Sequence, residues 1–413
     1  MALLSLAACA RDGDDGDMAA QELAVGSAPG SGEPNLAVTS DGRVLLSWIE
    51  PAGEKVHRLR LASRTRGQPW SEPWTVAEGA DWFVNWADFP SVATGPDGTL
   101  FAHWLARSGP GTYAYDVRVV ASGDGGRTWS APVTPHRDGT QTEHGFVSMA
   151  PWATGQMGIV WLDGRKTAGT SHGGGDHAEK SAAGAAMALM HTTVDADLRL
   201  GSEAVLDPRV CDCCQTDVVR AGEATVVAYR DRSEEEVRDI SVVRFEEGRW
   251  SQPRPLARDG WQINGCPVNG PALAAAGSEV AVAWFTAAGG QPRVNVAFSS
   301  DAGATFGSPL RVDDGRPLGR VDVVALGEGR ALVSWLERTD EATVVRLRRM
   351  GSDGTRGEAM KVADSSAERS SGFPRLAHSK GEVTVAWREV GERSRIRTAV
   401  VALARPVSPR GLR

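Results

Sequence analysis

No run of eighteen or more apolar residues occurs in this 413-residue chain, so no segment is suited to crossing a bilayer as a helix. Positive charge is not in excess. Lys and Arg number 45 against 52 Asp and Glu, for a formal charge of −7 and a pI near 5.7. That balance lacks the basic stripe a nucleic-acid partner requires. No long amphipathic helix pattern is visible. Tyrosine is confined to Tyr113, Tyr115 and Tyr229, and there are five cysteines in all, so chemistry needing either must be sought at those few places. Glycine, by contrast, is abundant at 48 residues, as turn-dense β structure demands.

The stretch Phe89–Trp104, FPSVATGPDGTLFAHW, reads as an apolar strand, a Gly/Asp turn and a second apolar strand closing on an aromatic residue. The pattern returns six times, and the closing aromatics are Trp48, Trp104, Trp161, Tyr229, Trp284, Trp335 and Trp387, spaced by 56, 57, 68, 55, 51 and 52 residues. A period near fifty carried by strands signals an all-β architecture, a single β-propeller. Seven four-stranded blades are expected, with six as the alternative count. Each unit continues into a third strand such as Asp116–Ser122 and a short fourth such as Ser130–Pro135. The last unit lacks a fourth strand, and Glu22–Val25 is expected to supply it and close the ring, leaving no free sheet edge.

The chain opens MALLSLAACARDGDDGD, and Leu6-Ala7-Ala8-Cys9 resembles the lipobox of bacterial lipoproteins. That resemblance implies a signal peptide over 1–9 with Cys9 lipidated and a tether over 10–21; the repeats place the propeller over 22–405 and leave a tail over 406–413. Ala10 after the Cys implies an outer-membrane lipoprotein facing the periplasm or cell surface, touching membrane only through its lipid; a monomer is expected. The alternative is a frayed terminus with an incidental Cys.

Two turns between third and fourth strands share one motif. Ser122–Trp129 fits S-x-D-x-G-x-T-W, and Ser299–Phe306 fits it with Phe in place of Trp. Asp124 and Asp301 can accept N–H bonds inside their own turns, Gly supplies the positive φ, and Trp129 and Phe306 can pack between sheets. This is the Asp box, and the repeat region resembles the BNR/sialidase-like propeller superfamily. In that superfamily these boxes are structural and face away from the active site. Function is therefore expected at the opposite rim.

On that rim the loops of units three to five are the richest. Cys211-Asp212-Cys213-Cys214 leads into unit four, and Cys266 leads into unit five. Four cysteines in an exported protein favour disulfides, while thiolates holding Cu or Zn are the alternative. Arg230, Asp231, Arg232, Arg238 and Asp239 follow the second strand of unit four; Glu143, His144, Asp163 and Arg165 hold comparable places in unit three. Arg forks bind carboxylates, and neighbouring acids can act as general acid or base. The same pairs can also stitch neighbouring blades together. The insertion carrying His172, Asp176, His177 and Glu179 has ligand chemistry but reads as a surface loop.

The chain departs from true sialidases. Unit one lacks their Phe/Tyr-Arg-Ile-Pro motif, no late unit carries a tyrosine, and those enzymes have six blades. Their catalytic set is therefore not transferred. Two functions follow: a non-catalytic envelope propeller binding a glycan, metal or protein at the rim of blades three to five, or an exo-sialidase-like glycoside hydrolase. In the second, Asp231 or Glu143 acts as acid/base and Arg230, Arg232 and Arg238 hold an anionic sugar.

Overall fold

A computed structural model describes residues 18–403 apart from 153, 169–185 and 392. The lipobox with Cys9, the 406–413 tail and the insertion from His172 to Glu179 lie outside the described residues.

The seven repeats form seven antiparallel sheets in a ring. Blade one runs from Gly32–Val38 to Trp74–Gly79, blade two from Ser91–Thr94 to Tyr115–Ser122, and blade three from His144–Pro151 to Ala204–Val210. Blade four starts at Asp217–Ala221, blade five at Ala272–Ala276, blade six at Arg316–Gly327 and blade seven at Arg375–Ser379. Seven apolar clusters fill the spaces between neighbouring blades, and each contains the closing aromatic of one of the two. Trp48, Trp161, Tyr229, Trp284 and Trp335 are fully buried, and Trp104 and Trp387 nearly so. The fifty-residue rhythm thus records one packing problem solved seven times, a large ring wedged between sheets about 10 Å apart. Several polar tips find partners: Trp161 Nε1 donates to Asp163 (2.8 Å), Trp284 Nε1 to Asp259 (2.8 Å) and the Tyr229 hydroxyl to Asp207 (2.6 Å), whereas Trp48 Nε1 is buried without one.

The N-terminal strand closes the ring. Ala20–Leu23 pairs antiparallel with Arg395–Ala402, Ala20 opposite Val401 and Leu23 opposite Thr398. The pairing begins two residues earlier than the expected Glu22–Val25. In blade two the expected fourth strand is reduced to a single bridge between Val133 and Val119. Pro132 and Pro135 flank Val133 and have no N–H to give a ladder, so pairing cannot extend either way.

The two marked turns are built alike. Asp124 Oδ1 accepts the N–H groups of Arg127 (2.9 Å) and Thr128 (3.0 Å), and the Ser122 hydroxyl accepts that of Gly126 (2.8 Å). Asp301 takes the Thr305 N–H at 2.8 Å, and Ser299 takes that of Gly303 at 2.9 Å. Trp129 and Phe306 pack, half-buried, against interblade cores. In an antiparallel blade the first and third turns lie at one end. The lead-in loops and second turns lie at the other, and the described candidate residues of blades three to five are there.

Candidate functional site

Both ends of the cysteine loop are anchored. Before it, Val210 bridges Asp231, and the Cys211 N–H donates to the Arg230 carbonyl at 3.0 Å. After it, the Gln215 side chain donates to the Ala87 carbonyl (2.6 Å) and accepts the Gly270 N–H (3.1 Å), joining the lead-in loops of blades two, four and five. A Cβ on Gly270 would lie 2.1 Å from the Gln215 carbonyl oxygen, so only glycine permits this approach. The contact draws the Cys266 loop over the trio. Cys211 Sγ lies 3.3 Å from Cys214 Sγ and 3.8 Å from Cys213 Sγ, and Cys266 is near enough to Cys213 for the two thiols to shift each other's ionisation. The expected disulfides are not formed: all four are free thiols, well beyond the bonded separation of about 2.05 Å. The loop curls its sulfurs around one point instead of pairing them, and the sulfurs of Cys211, Cys213 and Cys214 are close enough together to share a single ion.

Charge is matched around this point. Arg238 Nη1 donates to Cys211 Sγ at 3.3 Å, and its Nη2 pairs with Glu236 at 2.7 Å. Arg232 pairs with Asp212 and Glu236, each at 2.8 Å. Burial opposes ionisation of Cys211, but hydrogen bonds from Cys213 and Cys214 and the Arg238 charge outweigh it and hold the thiol well below its ordinary pKa. Burial pushes Cys214 upward, so the thiolate charge resides first on Cys211.

The remaining blade-four residues face other partners. Arg230 is buried, donating to the carbonyls of Asn269 (2.7 Å), Arg238 (2.6 Å) and Phe285 (2.7 Å) with its guanidinium 4.8 Å from the Trp261 ring centre. Asp231 accepts from the Arg232 N–H (2.7 Å) and Ser241 (3.1 Å), and Asp239 from the N–H groups of Gly260 and Trp261 (both 2.9 Å). Through their side chains, Arg232 and Arg238 reach the cysteine loop.

Blade three holds a second cluster. His144 Nδ1 is within bonding range of the Thr142 carbonyl (3.2 Å), while Nε2 lies 3.2 Å from Asp138 and 3.8 Å from Asp163. The His136 ring stacks on His144 at 3.7 Å, and burial with the His144 charge lowers the His136 pKa to about 4. Arg165 forks onto Asp163 (both contacts 2.7 Å) and reaches Glu203 at 3.0 Å. Glu143 instead faces Tyr115, whose hydroxyl sits between Glu143 Oε1 (2.8 Å) and Asp88 Oδ2 (2.9 Å). One hydroxyl hydrogen cannot serve two carboxylates, so one acid must carry a proton. Burial accordingly raises Asp88 to about 7 and Glu143 well above its ordinary range. Asp88 also lines a central cavity of about 280 Å³, together with Gln215, Asp217 and Arg375.

Asp88, Tyr115, His136, Asp138 and Glu236 escaped the sequence reading. Glu236 had a legible signal, an acid lying between Arg232 and Arg238 in one loop. The others meet only through the fold.

No family profile and no curated protein matches the chain. Solved structures do. An ulvan lyase described as a new family of polysaccharide lyase shares 12% identity at TM-score 0.56, covering 91% of this chain and 95% of its own. A Dyadobacter fermentans protein of unknown function shares 14% at TM-score 0.53, covering 93% and 98%. The Penicillium chrysogenum α-L-arabinanase complexed with arabinobiose shares 14% at TM-score 0.51, covering 92% and 97%. At such identities the likeness is one of fold. The chain is a seven-bladed β-propeller, closed through its N-terminal strand.

Proposed function

We propose that this protein is a non-catalytic binding propeller of the cell envelope, with its ligand site at the rim of blades three to five. The observation that carries the reading is the gathering of the Cys211, Cys213 and Cys214 sulfurs beside Arg238, whose positive charge, with that of Arg232, is already matched by Asp212 and Glu236. A substrate carboxylate binds an arginine fork most strongly where the fork's N–H groups are not already taken. Here Arg230 is engaged by backbone carbonyls, and Arg232 and Arg238 by carboxylates. The lipobox-like segment at Cys9 supports export and a lipid anchor, with a glycan or an envelope protein as further ligand classes.

One observation favours a glycoside hydrolase instead. Tyr115 is paired with Glu143, the kind of pair that activates a tyrosine nucleophile, yet Tyr115 is 1% exposed and Asp88 occupies its other side. Turnover of a fluorogenic sialoside by purified protein separates the two. The binding reading predicts no release above buffer from the wild type or Arg232→Ala. Release that disappears in Glu143→Gln would establish the enzyme and end the binding reading.

A further inference from the structure

We infer that Cys211, Cys213, Cys214 and Cys266 form a site for one thiophilic metal ion, Cu(I) or Zn(II), an identity for the ligand that rests on the rim-binding reading above. The spacing is the first argument. Thiolates about 2.3 Å from a tetrahedral ion stand about 3.8 Å from one another. The Cys211–Cys213 separation is 3.8 Å and Cys211–Cys214 is 3.3 Å. Free thiols gain little from being crowded in this way, and an ion at their centre accounts for the crowding.

Donor type is the second argument. The cluster offers sulfur alone, which selects soft or borderline ions over Mg(II) or Ca(II). Thiolate is the ligating form, and Arg238 already stabilises charge on Cys211. Binding releases the remaining thiol protons to solvent, and Arg232 and Arg238 offset part of the negative charge gathered on sulfur. The loop is also held from outside the sulfurs, by the Arg232–Asp212 ion pair and by Gln215. Such outer contacts orient metal ligands.

Access is the third. Cys211 and Cys214 are buried and Cys213 is half-buried, but Cys266 is exposed, so an ion enters and leaves on the Cys266 side. Three ligands come from one loop and the fourth from the neighbouring blade. Cu(I) is satisfied by the trio, whereas tetrahedral Zn(II) needs Cys266 as well. The cluster at His144 is a weaker candidate. Both oxygens of Asp163 are taken by Arg165, one also by Trp161, and the guanidinium would face any cation placed there.

The test titrates the whole reduced, chelator-treated chain with Zn(II), and separately with Cu(I) held by bicinchoninate. One ion per chain is expected, with a sulfur-to-metal charge-transfer band in the ultraviolet. Cys213→Ser should weaken either ion roughly tenfold or more. Cys266→Ser, at an exposed position, should weaken Zn(II) by a similar factor and leave Cu(I) within a few-fold. Thermal melting checks that each variant folds. Folded, reduced wild type that takes up neither ion, or uptake unchanged in both variants, overturns the metal site. The sialoside assay is independent of it: turnover defeats the rim-binding reading whether or not an ion binds, and a metal-free protein without turnover defeats only the metal.

Discussion

His191 shows at the scale of one residue how this fold treats charge. Its ring packs between Trp152 and Trp250, and burial lowers its pKa to about 4. The unfolded chain then binds more protons than the folded one between roughly pH 4 and 6.5. Its contribution to stability is therefore intact at neutral pH and is lost as pH falls through that window, by at most about 3 kcal/mol. His191→Phe should flatten the acid side of a plot of urea-unfolding free energy against pH; a plot parallel to wild type would show that His191 titrates normally. Arg238 acts in the opposite sense on Cys211, favouring the charged form. Reduced, metal-free protein should show an ultraviolet thiolate absorbance at neutral pH, and Arg238→Gln should remove it. Absorbance that persists would mean the charge is held by another group. Neither effect was legible beforehand. His191 meets Trp250 only because blades three and four are neighbours, and Arg230, an equal of Arg238 in sequence, is directed to carbonyls by loop geometry that no residue pattern announces.

The interblade wedge and the stapled loop are the units that matter among the elements. Trp284 fills the space between blades four and five and donates to Asp259. Trp284→Ala should cost about 3–5 kcal/mol in chemical denaturation, and a loss under 1 kcal/mol would mean the closing aromatics do not carry the packing. This part was readable because the second strand of every repeat closes on a large aromatic ring, Trp in six units and Tyr229 in the fourth. Blade two was over-read: its fourth strand stops at one bridge because Pro132 and Pro135 outweigh an otherwise strand-like segment. The loops obey different rules. Gly270 allows the blade-five loop to touch Gln215, and a methyl group there meets the backbone. In a Cys211→Ser/Cys214→Ser background, mild oxidation should join Cys213 to Cys266, and adding Gly270→Ala should abolish that bridge by mass spectrometry. A bridge that survives would mean the loops meet without this contact.

Across the whole molecule, ring closure and site assembly have one origin. Repetition makes blade order equal to chain order, so loops leading into consecutive units must be neighbours, and that is why Cys266 was expected beside Cys211–Cys214. The Tyr115–Asp88–Glu143 contact was invisible for the complementary reason, since it joins two loops through a strand that runs between them. Closure depends on Ala20–Leu23 against Arg395–Ala402. A chain shortened to begin at Gly26 should melt at lower temperature and self-associate through the exposed edge, and a monomer with unchanged melting would show that closure is dispensable. The central claim is that four sulfurs from two adjacent blades gather at one rim. Anomalous diffraction at the sulfur edge from crystals of the reduced protein tests it most directly. The account predicts four peaks in one cluster with no pair at the bonded spacing of about 2 Å, and a Cys266 peak standing apart from the other three would contradict it.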